Sequence, residues 1–355
     1  MKHTLLALAV LATFANVASA QSSVTVYGIV DAGITAERGG AEGSITKLAT
    51  GVQQGNRLGF KGTEDLGSGL KAIFQLESGF NADTGTGRQG ALFGRQAYVG
   101  LAGNFGTLSL GRQYDPIFVL LDALDPFATG LPGRVDNLLG AGNYRTNNSV
   151  MYSTPNVSGF NASVLYGLGE RAGNAAQGRT VGFSAGYANG PVVLGVAYDK
   201  VNAAPAIGAT DASTGQKLWL VGGTYNFGPA MLHAMYQTQK NDFLANPDVS
   251  KTIPVGDFRN LMLGVSVPVG TAGTIMASYV QKQDRISNRA EMGGKQLGVA
   301  YSYQLSKRSS VYTSYARLNN DDGGSNFIGD ASSGGSAPRA GGTSSALTVG
   351  MRHKF

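Results

Sequence analysis

The last nine residues, Leu347-Thr-Val349-Gly-Met351-Arg352-His353-Lys354-Phe355, settle the fold class. Leu347, Val349, Met351 and Phe355 share one face of an extended strand, and Thr348, Arg352 and Lys354 take the other. His353 falls on the apolar parity. Working back to the beginning of the chain, the same alternation returns. Val24, Val26, Gly28, Val30, Ala32 and Ile34 alternate with Thr25, Tyr27, Ile29, Asp31, Gly33 and Thr35. Ala72, Phe74, Leu76 and Phe80 oppose Lys71, Gln75 and Glu77. One face is oily and the other carries Arg, Lys, Glu and Gln. Segments of about ten residues with this pattern fit a wall with lipid outside and a wet lumen inside. A β-sandwich or β-helix is the soluble rival, which periodicity alone does not separate, but the terminal Phe355 favours the barrel.

The connections fall into two classes. Asp65-Leu66-Gly67-Ser68, Gly103-Asn104-Phe105-Gly106, Ala188-Asn189-Gly190-Pro191 and Gly270-Thr271-Ala272-Gly273 are tight turns. Longer polar segments lie near 37–54, 82–92, 114–144, 170–178, 202–216, 241–258, 285–293 and 320–343. Short and long connections alternate, as expected when short turns face the periplasm and long loops face outside. Strand centres fall near 29, 59, 75, 98, 110, 150, 164, 184, 196, 222, 235, 264, 279, 299, 314 and 350, which makes sixteen. An even count closes the sheet and removes its edges, which a bilayer demands. The reading is all-β: a 16-stranded antiparallel transmembrane barrel with short periplasmic turns and long extracellular loops.

The N-terminus carries a different signal. Lys2 and His3 precede the apolar run Leu5 to Ala15, and Ala18-Ser19-Ala20 matches a small-residue cleavage site. Residues 1–20 read as a secretory signal peptide cut between Ala20 and Gln21, leaving 21–355 as one domain. No later stretch approaches the roughly 20 apolar residues of a membrane helix. The chain has no cysteine, and only His233 and His353 follow the leader, so thiol, zinc and triad chemistry lack their residues. The formal charge of +6 is spread without basic runs, which argues against nucleic acid. The 53 glycines disfavour a helical bundle, because interior Gly costs about 1 kcal/mol relative to Ala. Gly85-Thr-Gly87-Arg-Gln-Gly90 matches a dinucleotide fingerprint but lacks a following helix, so it reads as a loop tip. Trp219 reads as an interfacial girdle residue.

Several segments together resemble the Gram-negative porins, in particular those of β-proteobacteria and neisseriae. Ser23-Val-Thr-Val-Tyr27-Gly28-Ile-Val-Asp31-Ala-Gly33 is similar to their first strand. Asn56-Arg57-Leu-Gly-Phe60-Lys61-Gly62-Thr-Glu64-Asp65-Leu-Gly67-Ser-Gly69-Leu-Lys71-Ala resembles their second hairpin. Tyr144-Arg145-Thr-Asn-Asn-Ser149-Val-Met-Tyr152 resembles the sixth strand, and Val349 to Phe355 the terminal one. The resemblance implies a homotrimer in the bacterial outer membrane, surrounded by lipid and lipopolysaccharide. It also implies Phe355 as the signal read by the barrel-assembly machinery, with periplasmic chaperones escorting the chain. It implies no cofactor, no metal and no enzymatic step.

The third long loop, 114–144, is unusually long for a passive connection. Asp115-Pro116 reads as a helix N-cap with Pro at the first helical position. Ile117, Leu120, Leu121 and Leu124 repeat at helical spacing, Asp122 and Asp125 lie off that stripe, and Pro126 ends it. Such an apolar loop is poorly solvated outside, and in the family it narrows the lumen. Arg57 and Arg145 have lumen parity, while Arg95 lies on the face opposite Gln96, Tyr98 and Gly100. The family carries a basic cluster at the positions that Arg57, Arg95 and Arg145 match. Arg112 matches a lumen arginine in some members, although its parity with Leu108 and Leu110 requires a bend. The expected constriction therefore comprises Arg57, Arg95, Arg112 and Arg145 opposite Asp115, Asp122, Asp125 and Asp136. The expected function is passive diffusion of small hydrophilic solutes and ions with weak anion selectivity. The alternative is a substrate-specific outer-membrane channel.

Overall fold

Strict alternation leaves every backbone N–H and C=O pointing sideways, so each strand must find two neighbours. The computed structural model, which describes residues 23–202, 215–241, 244–246, 251–253, 256–329 and 334–355, supplies them. The leader, Ala20 and Gln21 lie outside the described residues. β1 (Ser23–Gly40) leads through an overhanging strand, β2 (Gly43–Thr50), to β3 (Arg57–Gly67) and β4 (Leu70–Gly79). Then come β5 (Gln96–Gly103), β6 (Gly106–Tyr114), β7 (Arg145–Ser153), β8 (Phe160–Gly167), β9 (Thr180–Asn189), β10 (Val192–Asn202), β11 (Gly215–Asn226) and β12 (Met231–Asn241). A small ribbon, β13 (Leu244–Asn246) with β14 (Lys251–Ile253), precedes the last five strands. These are β15 (Gly256–Val269), β16 (Gly273–Asp284), β17 (Gly294–Gln304), β18 (Ser309–Asn320) and β19 (Thr343–Lys354).

Sixteen of these strands form a closed antiparallel ring. Each pairs with its chain neighbour, and β19 returns to β1 in register from Ile29 opposite Lys354 to Arg38 opposite Ser345. All sixteen expected strand centres fall inside ring strands. β2 and the β13–β14 ribbon were not expected. They prolong the long-loop end of the barrel. No helix among the described residues is long and apolar enough to cross a membrane. The strands are the crossing elements.

The outward face is apolar as the alternation requires. Val24 is 64% exposed, Ile34 63% and Val349 59%. Trp219 sits on this face against Tyr198 at 4.6 Å and Phe183 at 5.8 Å, an aromatic patch of the kind found at membrane boundaries. The closing seam is tight. Gly28 and Phe355 exchange backbone hydrogen bonds at 3.1 Å in both directions. The Phe355 ring covers Gly28 so closely that a Cβ there would fall 2.3 Å from it. Only glycine allows the last side chain to lie across the first strand at this point.

The core does not fill the barrel. It lies between the third long loop and one stretch of inner wall. Leu218 and Leu220 of β11, Met235 of β12, Met262 of β15, Val280 of β16 and Leu318 of β18 are buried there. On this arc the lumen side of the wall turns apolar where a loop covers it.

Candidate pore constriction

The third long loop contains α1 (Pro116–Leu124). Pro116 begins it as expected, and Ile117, Leu121 and Leu124 form its buried stripe. Asp115 occupies the N-cap position without a side-chain cap. Its Oδ1 instead accepts the Thr146 hydroxyl at 2.7 Å, which ties the loop to β7. After Pro126 the chain turns back, and Val135, Leu138 and Leu139 join the same apolar cluster. Each such side chain withdrawn from water contributes about 1.5–3 kcal/mol. The amides of the wall hold the loop backbone. Gln237 donates to the Gly140 carbonyl at 2.7 Å and accepts its N–H at 2.9 Å. Gln296 donates to the Gly133 carbonyl at 2.8 Å and accepts from Asn137 at 2.8 Å. At the helix end, one ring nitrogen of His233 lies 3.0 Å from the Leu124 carbonyl oxygen and the other 3.1 Å from the Ser266 hydroxyl. The loop therefore packs against the inner wall of the barrel.

Three of the expected arginines come together. Arg95 pairs with Glu77 at 2.7 Å and donates through Nη2 to the Tyr114 hydroxyl at 2.5 Å. Arg145 donates to the same hydroxyl at 2.8 Å, with its guanidinium 4.4 Å from the Tyr114 ring centre. Arg57 donates through Nε to the Gly55 carbonyl at 3.0 Å. A Cβ on Gly55 would lie 2.8 Å from Arg95 Nη1, so this backbone segment lies against both arginines. Alternation continued back from β5 would have put Arg95 outside with Val99 and Leu101. It precedes the strand, and its backbone N–H bonds to the Glu77 carbonyl at 3.1 Å, which frees the side chain to turn to Glu77. Arg112 stands apart from the Tyr114 hydroxyl. It donates to the Gly94 carbonyl and to Asn147, each at 2.7 Å. The bend its parity required is present. The β6–β7 ladder shifts register between Gly111 and Gln113, and Gly111 takes φ +137°, where a Cβ would strike the Ala97 carbonyl at 2.1 Å.

The four expected acids divide. Asp115 and Asp125 are buried and do not line the lumen, which corrects their placement in the constriction. Asp125 instead accepts the backbone N–H groups of Phe127, Thr129 and Val135 at 3.1–3.2 Å, folding the return of the loop. Burial pushes its carboxyl up to about 7, against the pull of those three donors. Asp136 accepts the Tyr144 hydroxyl at 2.8 Å and pairs with Arg134 at 3.4 Å, with almost none of its side chain exposed. Asp122 remains half-buried, bonded to the Thr129 hydroxyl. Burial raises its carboxyl, while the Thr129 bond, Arg57 and Arg95 pull it down. Those two arginines are thus near enough to act on it.

Sequence reasoning missed three parts of this site. Glu77 was visible on the polar face of its strand, but nothing local pairs it with Arg95. Tyr114 closes β6 with no distinguishing pattern around it. The third part is a segment of the first long loop. Asp31, fully buried, accepts the N–H groups of Val52, Gln53 and Gln54 at 2.8–3.2 Å and the Tyr312 hydroxyl at 2.6 Å. Gln53 then bonds Ser302 of β17 and Ser310 of β18, across the seam from β1, and Leu131 N donates to the Val52 carbonyl at 2.6 Å. The first and third loops are therefore joined inside the ring. Among the described residues, no three carboxylate or imidazole side chains gather as a metal site.

Known proteins share this architecture. The family model described as Gram-negative porin matches residues 7–323. Outer membrane porin protein 32 of Delftia acidovorans is 36% identical, and an outer membrane porin protein of Bordetella pertussis 34%, each over the full length of both chains. The solved structure of an anion-selective porin from Comamonas acidovorans superposes with a TM-score of 0.78 at 31% identity, covering 94% of this chain and all of that one. The ring, the wall-packed third loop and these likenesses lead to one conclusion: the chain belongs to the Gram-negative porins and is a diffusion channel of the outer membrane, not an enzyme.

Proposed function

We propose that this porin passes small hydrophilic solutes and ions passively, with a weak preference for anions set by Arg57, Arg95 and Arg145. The observation that carries this reading is the grouping of Arg95 and Arg145 on the Tyr114 hydroxyl, with Glu77 paired to Arg95, Arg57 bonded to the neighbouring Gly55 carbonyl, and the half-buried acid Asp122 across from them. Fixed charges beside low-dielectric walls raise the local concentration of counter-ions, here anions. The similar Comamonas protein is described as anion-selective, and this chain shares 31% of its residues. The test is the reversal potential in asymmetric KCl for Arg57→Ala, Arg95→Ala and Arg145→Ala. Each substitution should move the potential toward the cation side. Three wild-type values would remove the reading.

The same proposal takes residues 1–20 as the export leader, with the mature domain running from Gln21 to Phe355, and the working form as a homotrimer in lipopolysaccharide-bearing membrane. Phe355, 47% exposed on the outer face at the seam, is the assembly signal in this reading. Passage through chaperones and the barrel-assembly machinery follows from that role.

A further inference from the structure

We propose that Tyr114 is the positioning residue of the arginine cluster, its hydroxyl fixing Arg95 and Arg145 side by side and so setting the anion preference. The inference rests on the reading that these arginines produce that preference. Two guanidiniums repel each other, and long Arg side chains have many rotamers in which to separate. A phenol oxygen has two lone pairs, so it accepts from both without a competing charge. Here Nη2 of Arg95 lies 2.5 Å and Nη2 of Arg145 2.8 Å from that oxygen.

The ring itself is held by the loop. It stacks on Phe118 of α1 with centroids 5.3 Å apart and planes 18° apart. Phe118 packs on Tyr144 at 5.0 Å, and the Tyr144 hydroxyl donates to Asp136 at 2.8 Å. The hydroxyl thus takes its position from the seated third loop.

The two arginines depend on it unequally. Arg95 has a second anchor in Glu77 through Nε. Nε of Arg145 is buried without a hydrogen-bond partner among the described residues, so the Tyr114 oxygen and ring are its main hold. Removing the hydroxyl should release Arg145 first.

Tyr114→Phe keeps the stacking and removes the acceptor. The full chain, refolded and inserted in planar bilayers, is measured in asymmetric KCl, with block of the chloride current by sulfate as a second readout. The anion-to-cation permeability ratio should fall about twofold, with weaker sulfate block, while single-channel conductance in high salt holds. Tyr114→Gln, which restores an acceptor without the ring, should recover part of the loss. In an Arg145→Ala background, Tyr114→Phe should add little, because its main client is gone. A wild-type ratio in Tyr114→Phe, or effects that simply add in the double variant, overturns the proposal. If Arg95→Ala and Arg145→Ala shift the ratio and Tyr114→Phe does not, the Tyr114 inference alone falls. If neither arginine variant shifts it, this inference falls, and if Arg57→Ala is also unchanged the cluster reading falls with it.

Discussion

Asp122 and Asp125 stand three positions apart on the same loop and meet different fates. Asp122 keeps some exposure and faces the field of Arg57 and Arg95. Its replacement by Asn should strengthen anion preference, read as a reversal potential further from zero on the anion side. Asp125 is buried, and its carboxyl is pushed up to about 7 from an ordinary value of about 3.9. A raised carboxyl value favours the protonated form in the folded loop. The stabilisation is therefore complete below about pH 4 and is lost as pH climbs through about 7. Open-channel noise from a loosening loop should grow between pH 5 and pH 8, and Asp125→Asn should flatten that dependence. Wild-type noise that is constant over the window contradicts the assignment. Glu77 is the counter-charge inside the cluster, 2.7 Å from Arg95. Glu77→Gln should raise the anion-to-cation ratio, roughly twofold at most.

At the scale of elements, α1 and its return segment are seated by shape and apolar area, and the ring by backbone pairing. These two sources of stability should separate. Leu121, fully buried on the stripe of α1, costs about 2–5 kcal/mol when cut to Ala. The cost should appear as a looser loop, with larger or noisier conductance. The ring should keep its strand content, read as an unchanged far-UV circular dichroism spectrum. Barrel collapse in Leu121→Ala would show that the loop supports the ring. The helix was legible because Asp115-Pro116 and the Ile117, Leu121, Leu124 spacing are local signals. Its receiving wall was also faintly legible. Leu218-Trp219-Leu220-Val221 is apolar on both parities, which marks a strand covered on both faces. The inward turn of the first loop was not legible. It depends on Asp31 collecting three N–H groups from residues more than twenty positions away, and no spacing rule encodes that. The side chains of Asp115 and Asp125 were misplaced for a related reason. Sequence parity reports a face, while burial depends on what later packs over it.

For the molecule as a whole, closure decides everything else. Sixteen strand centres could be counted from alternation because the period is two and the turns are short. The seam could be anticipated only in part, since the Phe355 ring over Gly28 joins residues at opposite ends of the chain. The electrostatic design is also global. Strands β3, β4, β6 and β7 and the loop entering β5 each contribute one member of the Arg57, Glu77, Tyr114, Arg145 and Arg95 group. The most direct test of this account is a planar-bilayer recording of the refolded chain 21–355 under a KCl gradient. It should show discrete, long-lived conductance steps and a reversal potential on the chloride side. A chain that inserts without passing current, or one whose potential lies clearly on the potassium side, would contradict it.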